Sequence, residues 1–110
     1  MERFRAGQRL HKKHEFDAVF RSGKRVSAQV ATLVVKANDL GFSRIGLSVS
    51  RKAGNAVTRN RMKRWIREIF RRDLSMFPAC ADIVIMISRP VTVRFEGFRG
   101  ALLSTCSRIR

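Results

Sequence analysis

The chain has 110 residues, 24 Lys and Arg against 8 Asp and Glu, and a net charge of +16 with a pI near 11.8. A chain of this length buries roughly two thirds of the surface its unfolded form exposes, so neither a disulfide nor a metal is needed to hold a core. Self-repulsion at this charge density calls for a polyanionic partner, with nucleic acid ahead of an anionic membrane surface. No apolar run approaches the roughly 18 residues of a membrane span. Met1-Glu2-Arg3-Phe4-Arg5 also lacks the apolar stretch of a secretory signal. One cytoplasmic domain over residues 1–110 is therefore expected. Cys80 and Cys106 form no CxxC motif and lie among apolar residues, which predicts two buried free thiols.

Residues 1–13 are polar, basic and aperiodic, and predict a mostly extended N-terminal arm. From His14 to Ser22, Phe16, Val19 and Phe20 recur at i, i+3, i+4, the spacing of one helix face. Gly23 suits the position after the last turn. Gln29 to Lys36 is rich in Val, Leu and Thr and predicts a strand, and Asn38-Asp39-Leu40-Gly41 is turn material. Between Arg44 and Ser50, Ile45, Leu47 and Val49 alternate with Arg44, Gly46, Ser48 and Ser50. That pattern predicts the second strand of a hairpin, covered on one face, with the other face wet or against a ligand.

Asn55 is a good N-cap for the longest predicted helix. Its buried stripe is Met62, Trp65, Ile66, Ile69 and Phe70, and it should end before Pro78. Ile83-Val84-Ile85-Met86-Ile87 is a continuous apolar run of strand length, which predicts a strand in the middle of the sheet. Phe95, Phe98, Leu102, Cys106 and Ile109 outline a last amphipathic helix, weakened by Gly97 and Gly100. The order predicts an α+β fold, one central sheet with helices packed on its apolar face.

Nine basic residues lie between Arg51 and Arg72, with Glu68 as the one interrupting acid. Helical spacing places Asn60, Lys63, Arg64, Arg67 and Arg71 on the face opposite the apolar stripe. A solvated face normally mixes Glu with Lys to gain i, i+4 pairs, and this one does not. Its apolar stripe is needed for a core, which argues against a membrane-surface helix. The free N–H groups of the first turn, with Arg51 and Lys52 beside them, favour a phosphate. Arginine grips phosphate with a planar fork and stacks on bases. Phe16 and Phe20 share a helix face and have two readings: rings on which unstacked bases lie, or plain core.

The eight acids are scattered, so the clustered carboxylates of a metal-dependent nuclease are missing. His11 and His14 are close neighbours, expected on the same side of a phosphodiester rather than flanking it as acid and base, and neither pairs with a cysteine at zinc spacing. If RNA is cut, this chain is not expected to cut it. A ribosomal protein or general RNA chaperone fits the composition equally well.

The run from Arg44 to Arg71 separates these readings. After Ile45-Gly46-Leu47-Ser48-Val49-Ser50 it carries Lys52-Ala53-Gly54-Asn55-Ala56-Val57, then Arg59-Asn60-Arg61 and Lys63-Arg64. This block closely resembles the signature of the bacterial ribonuclease P protein subunit. Further similarity covers Glu15-Phe16 through Phe20, Gly23 and the Asp82 strand. The resemblance implies a ribosomal-protein-like α/β sandwich with a left-handed β-α-β crossover around the Arg-Asn-Arg helix, against the strong right-handed default. It also implies a division of labour. A partner RNA, ribonuclease P RNA, hydrolyses precursor tRNA using Mg2+ held mainly by that RNA and the substrate. The protein docks on the RNA through its basic helix and holds the single-stranded 5′ leader in a separate cleft, with no obligate protein partner.

By position, Lys52, Ala56, Arg59, Asn60, Arg61, Lys63, Arg64 and Arg67 take the Arg-Asn-Arg surface, and Arg51 and Arg71 extend it. Phe16 and Phe20 line the implied leader cleft, with Val34 on the first strand and Ser48 and Ser50 on the open strand face. Ala31 and Val34 stand where relatives often carry aromatic rings, and the chain has no Tyr, so base stacking is expected to rest on Phe16 and Phe20. The chain also ends soon after the last predicted helix, without the basic tail of some relatives.

Overall fold

Residues 8–10 and 12–109 are described by the computed structural model. In chain order they form α1 (Lys13–Ser22), β1 (Lys24–Ser27), β2 (Thr32–Ala37), β3 (Arg44–Val49), α2 (Ala56–Arg72), β4 (Ala81–Ile87) and α3 (Phe95–Ser107). Short 3-10 turns at Arg51–Ala53 and Leu74–Met76 flank α2. The sheet order is β1-β2-β4-β3. β1 with β2 and β2 with β4 are antiparallel, while β3 and β4 are parallel and joined by α2 as the crossover.

The expected hairpin between the second and third strands does not form, because β4 lies between them. The reason is in the side chains. β4 is apolar on both faces and is stable only where both are covered, whereas β3 carries small or polar residues on alternate positions and suits an edge. The actual hairpin is β1–β2, and β1 escaped the sequence reading. Its Lys24, Arg25 and Ser27 are exposed, the composition of a protected edge strand, and only Val26 is partly covered.

Alternation sorts the sheet residues into two cores. Leu33, Ile45, Ile83, Ile85 and Ile87 pack against Met62, Ile66, Ile69 and Phe70 of α2 and Phe98, Leu102 and Cys106 of α3. Trp65 meets Phe95 edge-on at a centroid distance of 5.5 Å and Phe98 at 5.6 Å. On the opposite face, Val34 and Val84 pack with Leu10 and Val19. Thus α2 and α3 share one face as expected, but α1 covers the other. Val84 and Val34 leave an apolar patch there that a helix must cover.

Local chemistry sets the helix ends. The Asn55 side chain accepts a 2.9 Å hydrogen bond from the Thr58 N–H and caps α2 as expected. Gly54, just before it, has φ +150°, a conformation side chains rarely adopt. Gly23 ends α1 for a different reason from the one expected. Its backbone is extended, and a Cβ there would lie 2.6 Å from the Val19 carbonyl oxygen and 2.8 Å from Val34 Cγ1. Glycine is needed for the close passage of α1 into β1. Of the arm, residues 9 and 10 run along the free edge of β3, with the Leu10 N–H donating to the Ile45 carbonyl at 2.8 Å. Residues 1–7 and 11 lie outside the described residues. Cys106 is buried as expected, but Cys80 is exposed in the turn before β4, at φ +52°.

Candidate nucleic-acid interface

The apolar stripe of α2 turns its basic residues outward. Arg51, Lys52 and Ala56 are exposed around the helix start, followed by exposed Asn60, Arg61 and Arg64. Arg59, Lys63, Arg67 and Arg71 are half-buried along the flanks. Arg61 places its guanidinium 5.8 Å from the Trp65 ring centroid, which orients it at low entropic cost. Arg71 differs from the rest. It makes a two-pronged contact to Glu68 at 3.2 and 2.7 Å, with Arg72 at 3.7 Å from the same carboxylate. Glu68 therefore relieves the last turn of the helix and leaves the first three turns positive.

The second feature lies on the α1 face of the sheet. Phe16 and Phe20 are both half-buried, with ring centroids 6.3 Å apart. Both pack on the Leu10–Val19–Val34–Val84 cluster without being fully buried, so neither is plain core. Gly46 lies directly beneath Phe16, where a Cβ would come within 2.7 Å of the ring. Glycine at this strand position leaves room for the tip of the ring against β3. Beyond the rings the register aligns Thr32, Met86 and Ser48 in a row across β2, β4 and β3. Ser48 is half-buried on this open face. The Ser50 hydroxyl accepts from the Lys52 N–H at 3.2 Å and so serves as the cap of the following turn.

Val34 corrects the sequence reading. It is 0% exposed beneath α1 and presents no surface to a ligand. Ala31 is buried with the α2–α3 core and likewise offers nothing to the cleft. The structure adds Arg25, which the sequence did not single out. From β1 it reaches across the sheet, 5.7 Å from the Phe20 centroid and 4.0 Å from Met86 Sδ. It lies in an unremarkable Lys24-Arg25 pair, and only the β1–β2 pairing brings it to the rings.

Most of the described carboxylates are committed to ion pairs. Glu15 and Asp82 hold Arg44, Asp73 holds Arg99, and Asp17 holds Lys13. Among the described residues no group of three or more His, Cys, Asp or Glu is placed to hold a metal ion. The described residues therefore do not fit a resident Mg2+. His14 is exposed on the first turn of α1, and His11 lies outside the described residues. Among the described residues, no helix is long and apolar enough to cross a membrane.

The sequence and the fold both have counterparts among known proteins. The family model for ribonuclease P matches residues 4–110. This chain belongs to the ribonuclease P protein family. The ribonuclease P protein component of Thermotoga maritima is 37% identical over 95 residues, spanning 86% of this chain and 81% of that one. The solved ribonuclease P protein of Thermotoga maritima superposes with a TM-score of 0.85 at 34% identity, covering 93% of this chain and 97% of that one. The Staphylococcus aureus ribonuclease P protein gives 0.85 at 27% identity, covering 94% and 95%. Membership of the ribonuclease P family is what the Arg-Asn-Arg block at 59–61 had pointed to.

Proposed function

We propose that this chain is the non-catalytic subunit of a ribonuclease P holoenzyme that removes the 5′ leader of precursor tRNA. The basic face of α2 docks on ribonuclease P RNA, through Arg51, Lys52, Ala56, Arg59, Asn60, Arg61, Lys63, Arg64 and Arg67. Arg71, tied to Glu68, contributes field rather than a free fork. Phe16, Phe20, Ser48 and Arg25 hold the single-stranded leader on the other side of the sheet, with Val34 as buried support. The observation that carries this reading is the division itself: a basic helix face and a pair of partly exposed aromatic rings on opposite faces of one sheet suit two RNA segments bound at once. In this reading the Mg2+ that assists hydrolysis belongs to the RNA and the substrate; among the described carboxylates Glu15, Glu68, Asp73 and Asp82 are paired with arginines and Asp17 with Lys13.

The deciding experiment is cleavage of precursor tRNA in low Mg2+ by ribonuclease P RNA, with and without this protein, beside a protein-alone control. Processing restored in the mixture alone is the expected result. Tight RNA binding without stimulation of a cognate RNA would instead indicate a general RNA-binding protein.

Two substitutions separate the surfaces. Arg64→Ala should weaken docking to ribonuclease P RNA and flatten the salt dependence of log K by ~0.7–0.9 per lost phosphate contact. An unchanged slope would remove Arg64 from the interface. Phe16→Ala should cost about 1–3 kcal/mol in affinity for leader-bearing precursor if a base stacks on the ring. Binding of tRNA without a leader should stay as it was. Equal losses on both substrates would return Phe16 to a purely structural role.

A further inference from the structure

The positive charge is spread unevenly along the chain. Residues 37–43, which lead from β2 to β3, and residues 73–80, which lead from α2 to β4, contain none of the 24 Lys and Arg. The two segments meet at one end of the sheet. The Asn38 N–H donates to the Cys80 carbonyl at 2.8 Å, and the Ser43 hydroxyl donates to the Pro78 carbonyl at 2.6 Å. Between them opens a mainly apolar pocket of about 290 Å³, walled by Gly41, Phe42, Leu74, Phe77, Ala79 and Cys80. Phe77 is almost fully buried and stands edge-on to Phe70 at 5.1 Å. Phe42, its near neighbour Leu40, and Met76 beside Phe77 remain exposed. Apolar exposure gathered in one place marks a contact surface. Without a cation in either segment, the surface does not suit a phosphate backbone.

The direction of the chain says what can cover it. Gln8 lines the same pocket. Arg9 bridges to Ile45 in the parallel sense, so the chain traced back from Arg9 heads as β3 does from Ile45 towards Ser43 and Phe42. Seven residues precede Gln8, and the large apolar ones among them are Met1 and Phe4. Phe4 is four residues from Gln8, a span of at most ~14 Å. The match to the ribonuclease P family model starts at residue 4 and so includes this phenylalanine.

We propose that this pocket is the seat of the chain's own N-terminal segment, with the Phe4 ring lodged against Phe77 and Leu74. A third ring extends the edge-on pair of Phe70 and Phe77. Arg3 and Arg5, on either side of Phe4, bring positive charge to segments that carry Asp39 and no cation. The tether sets the local concentration of Phe4 on the order of millimolar. A second copy would have no tether and would bring a net charge of +16 against the same charge. Seated in this way, the segment is held at two points, Phe4 in the pocket and Leu10, 4% exposed, in the core beneath α1. It then covers the edge of β3, which is otherwise open to pairing with another chain. The assignment is independent of what the aromatic pair and the basic helix bind.

The test is proton NMR on the full-length chain without RNA, joined to denaturant unfolding. Nuclear Overhauser cross-peaks should link the Phe4 ring to the Phe77 ring and the Ala79 methyl group within one molecule. Phe4→Ala should raise the unfolding equilibrium constant by roughly 10–100-fold, the loss expected when a phenylalanine gives up its burial. Phe4→Leu, which keeps apolar bulk, should retain most of the stability. In a chain that already carries Phe77→Leu, Phe4→Ala should cost less than it does alone, because the two side chains share one contact. Phe4 signals at random-coil positions without those cross-peaks would overturn the proposal, as would losses that add fully. Cross-peaks found only between differently labelled molecules, growing with concentration, would give the pocket to a second copy and overturn it too.

Discussion

Replacing Arg44 with Ala should lower the stability of the fold by about 3–5 kcal/mol, far more than an exposed arginine is worth. Arg44 donates from Nε and Nη2 to the two oxygens of Asp82 at 2.9 and 2.8 Å, and from Nη1 to Glu15 at 2.8 Å. Asn38 Nδ2 completes the group at 2.8 Å from Asp82. Asp82 is only 7% exposed, so removing its cation strands a charge in a place water barely reaches. Burial by itself raises the Asp82 pKa, but the hydrogen bonds from Arg44 and Asn38 and the Arg44 charge outweigh it, and the carboxyl sits below its ordinary value.

The pH dependence follows. A carboxyl depressed in the folded state stabilises the fold above its unfolded pKa, about 4, and that contribution is lost as pH falls through the folded value. In Arg44→Ala the burial effect is left without its main opponent, so Asp82 takes up a proton more readily. The gap between native and variant should therefore be widest near neutral pH and narrow on acidification. Urea unfolding at several pH values measures it. A gap that stays constant from neutrality down to about pH 4 would show that Asp82 is not the partner that matters. Because Glu15 precedes Phe16, the same substitution should loosen α1 on the sheet and lower leader affinity.

Ile66→Ala should cost about 2–5 kcal/mol. Ile66 is fully buried in the middle of α2, between Met62 and Ile69, in the layer shared with β3, β4 and α3. Along its outer side α2 stacks like charges one turn apart, which destabilises an isolated helix. Its order depends on the apolar stripe. A cavity beneath the stripe should thus reach the basic face through the folded population rather than through any lost contact. Denaturant unfolding gives the size of the loss. RNA affinity corrected for the folded fraction should match the native chain, and polyphosphate or RNA should raise the midpoint of unfolding by mass action. A corrected affinity that still falls strongly would mean that Ile66 shapes the basic face directly.

How much of this was legible in the chain depends on the range of the interaction. The α2 helix, its Asn55 cap, its buried stripe and its basic face are written in residues three and four apart, and periodicity alone recovers them. The central position of β4 follows from a run apolar on both faces. The Arg-Asn-Arg block identified the family because its spacing is local and dense. Pairing between distant segments is another matter. The third strand alternates just as a hairpin strand would, and nothing within it says that β4 will come between it and β2. Lys24–Ser27 reads as surface because an edge strand is built to look like one.

The candidate site divides in the same way. The identities of the α2 cations and of Phe16 and Phe20 were determined by the sequence, since each is set by position on one helix. Which of them stay exposed and unpaired with an acid was decided by the tertiary structure. It buried Val34 under α1, tied Arg71 to Glu68, brought Arg25 from β1 to the Phe20 ring, and set Arg9 beside Lys63 and Arg67 at the β3 edge. The physical reason is that exposure and charge convergence depend on how layers stack and strands register. Those are contacts between residues tens of positions apart, and they leave no period in the chain.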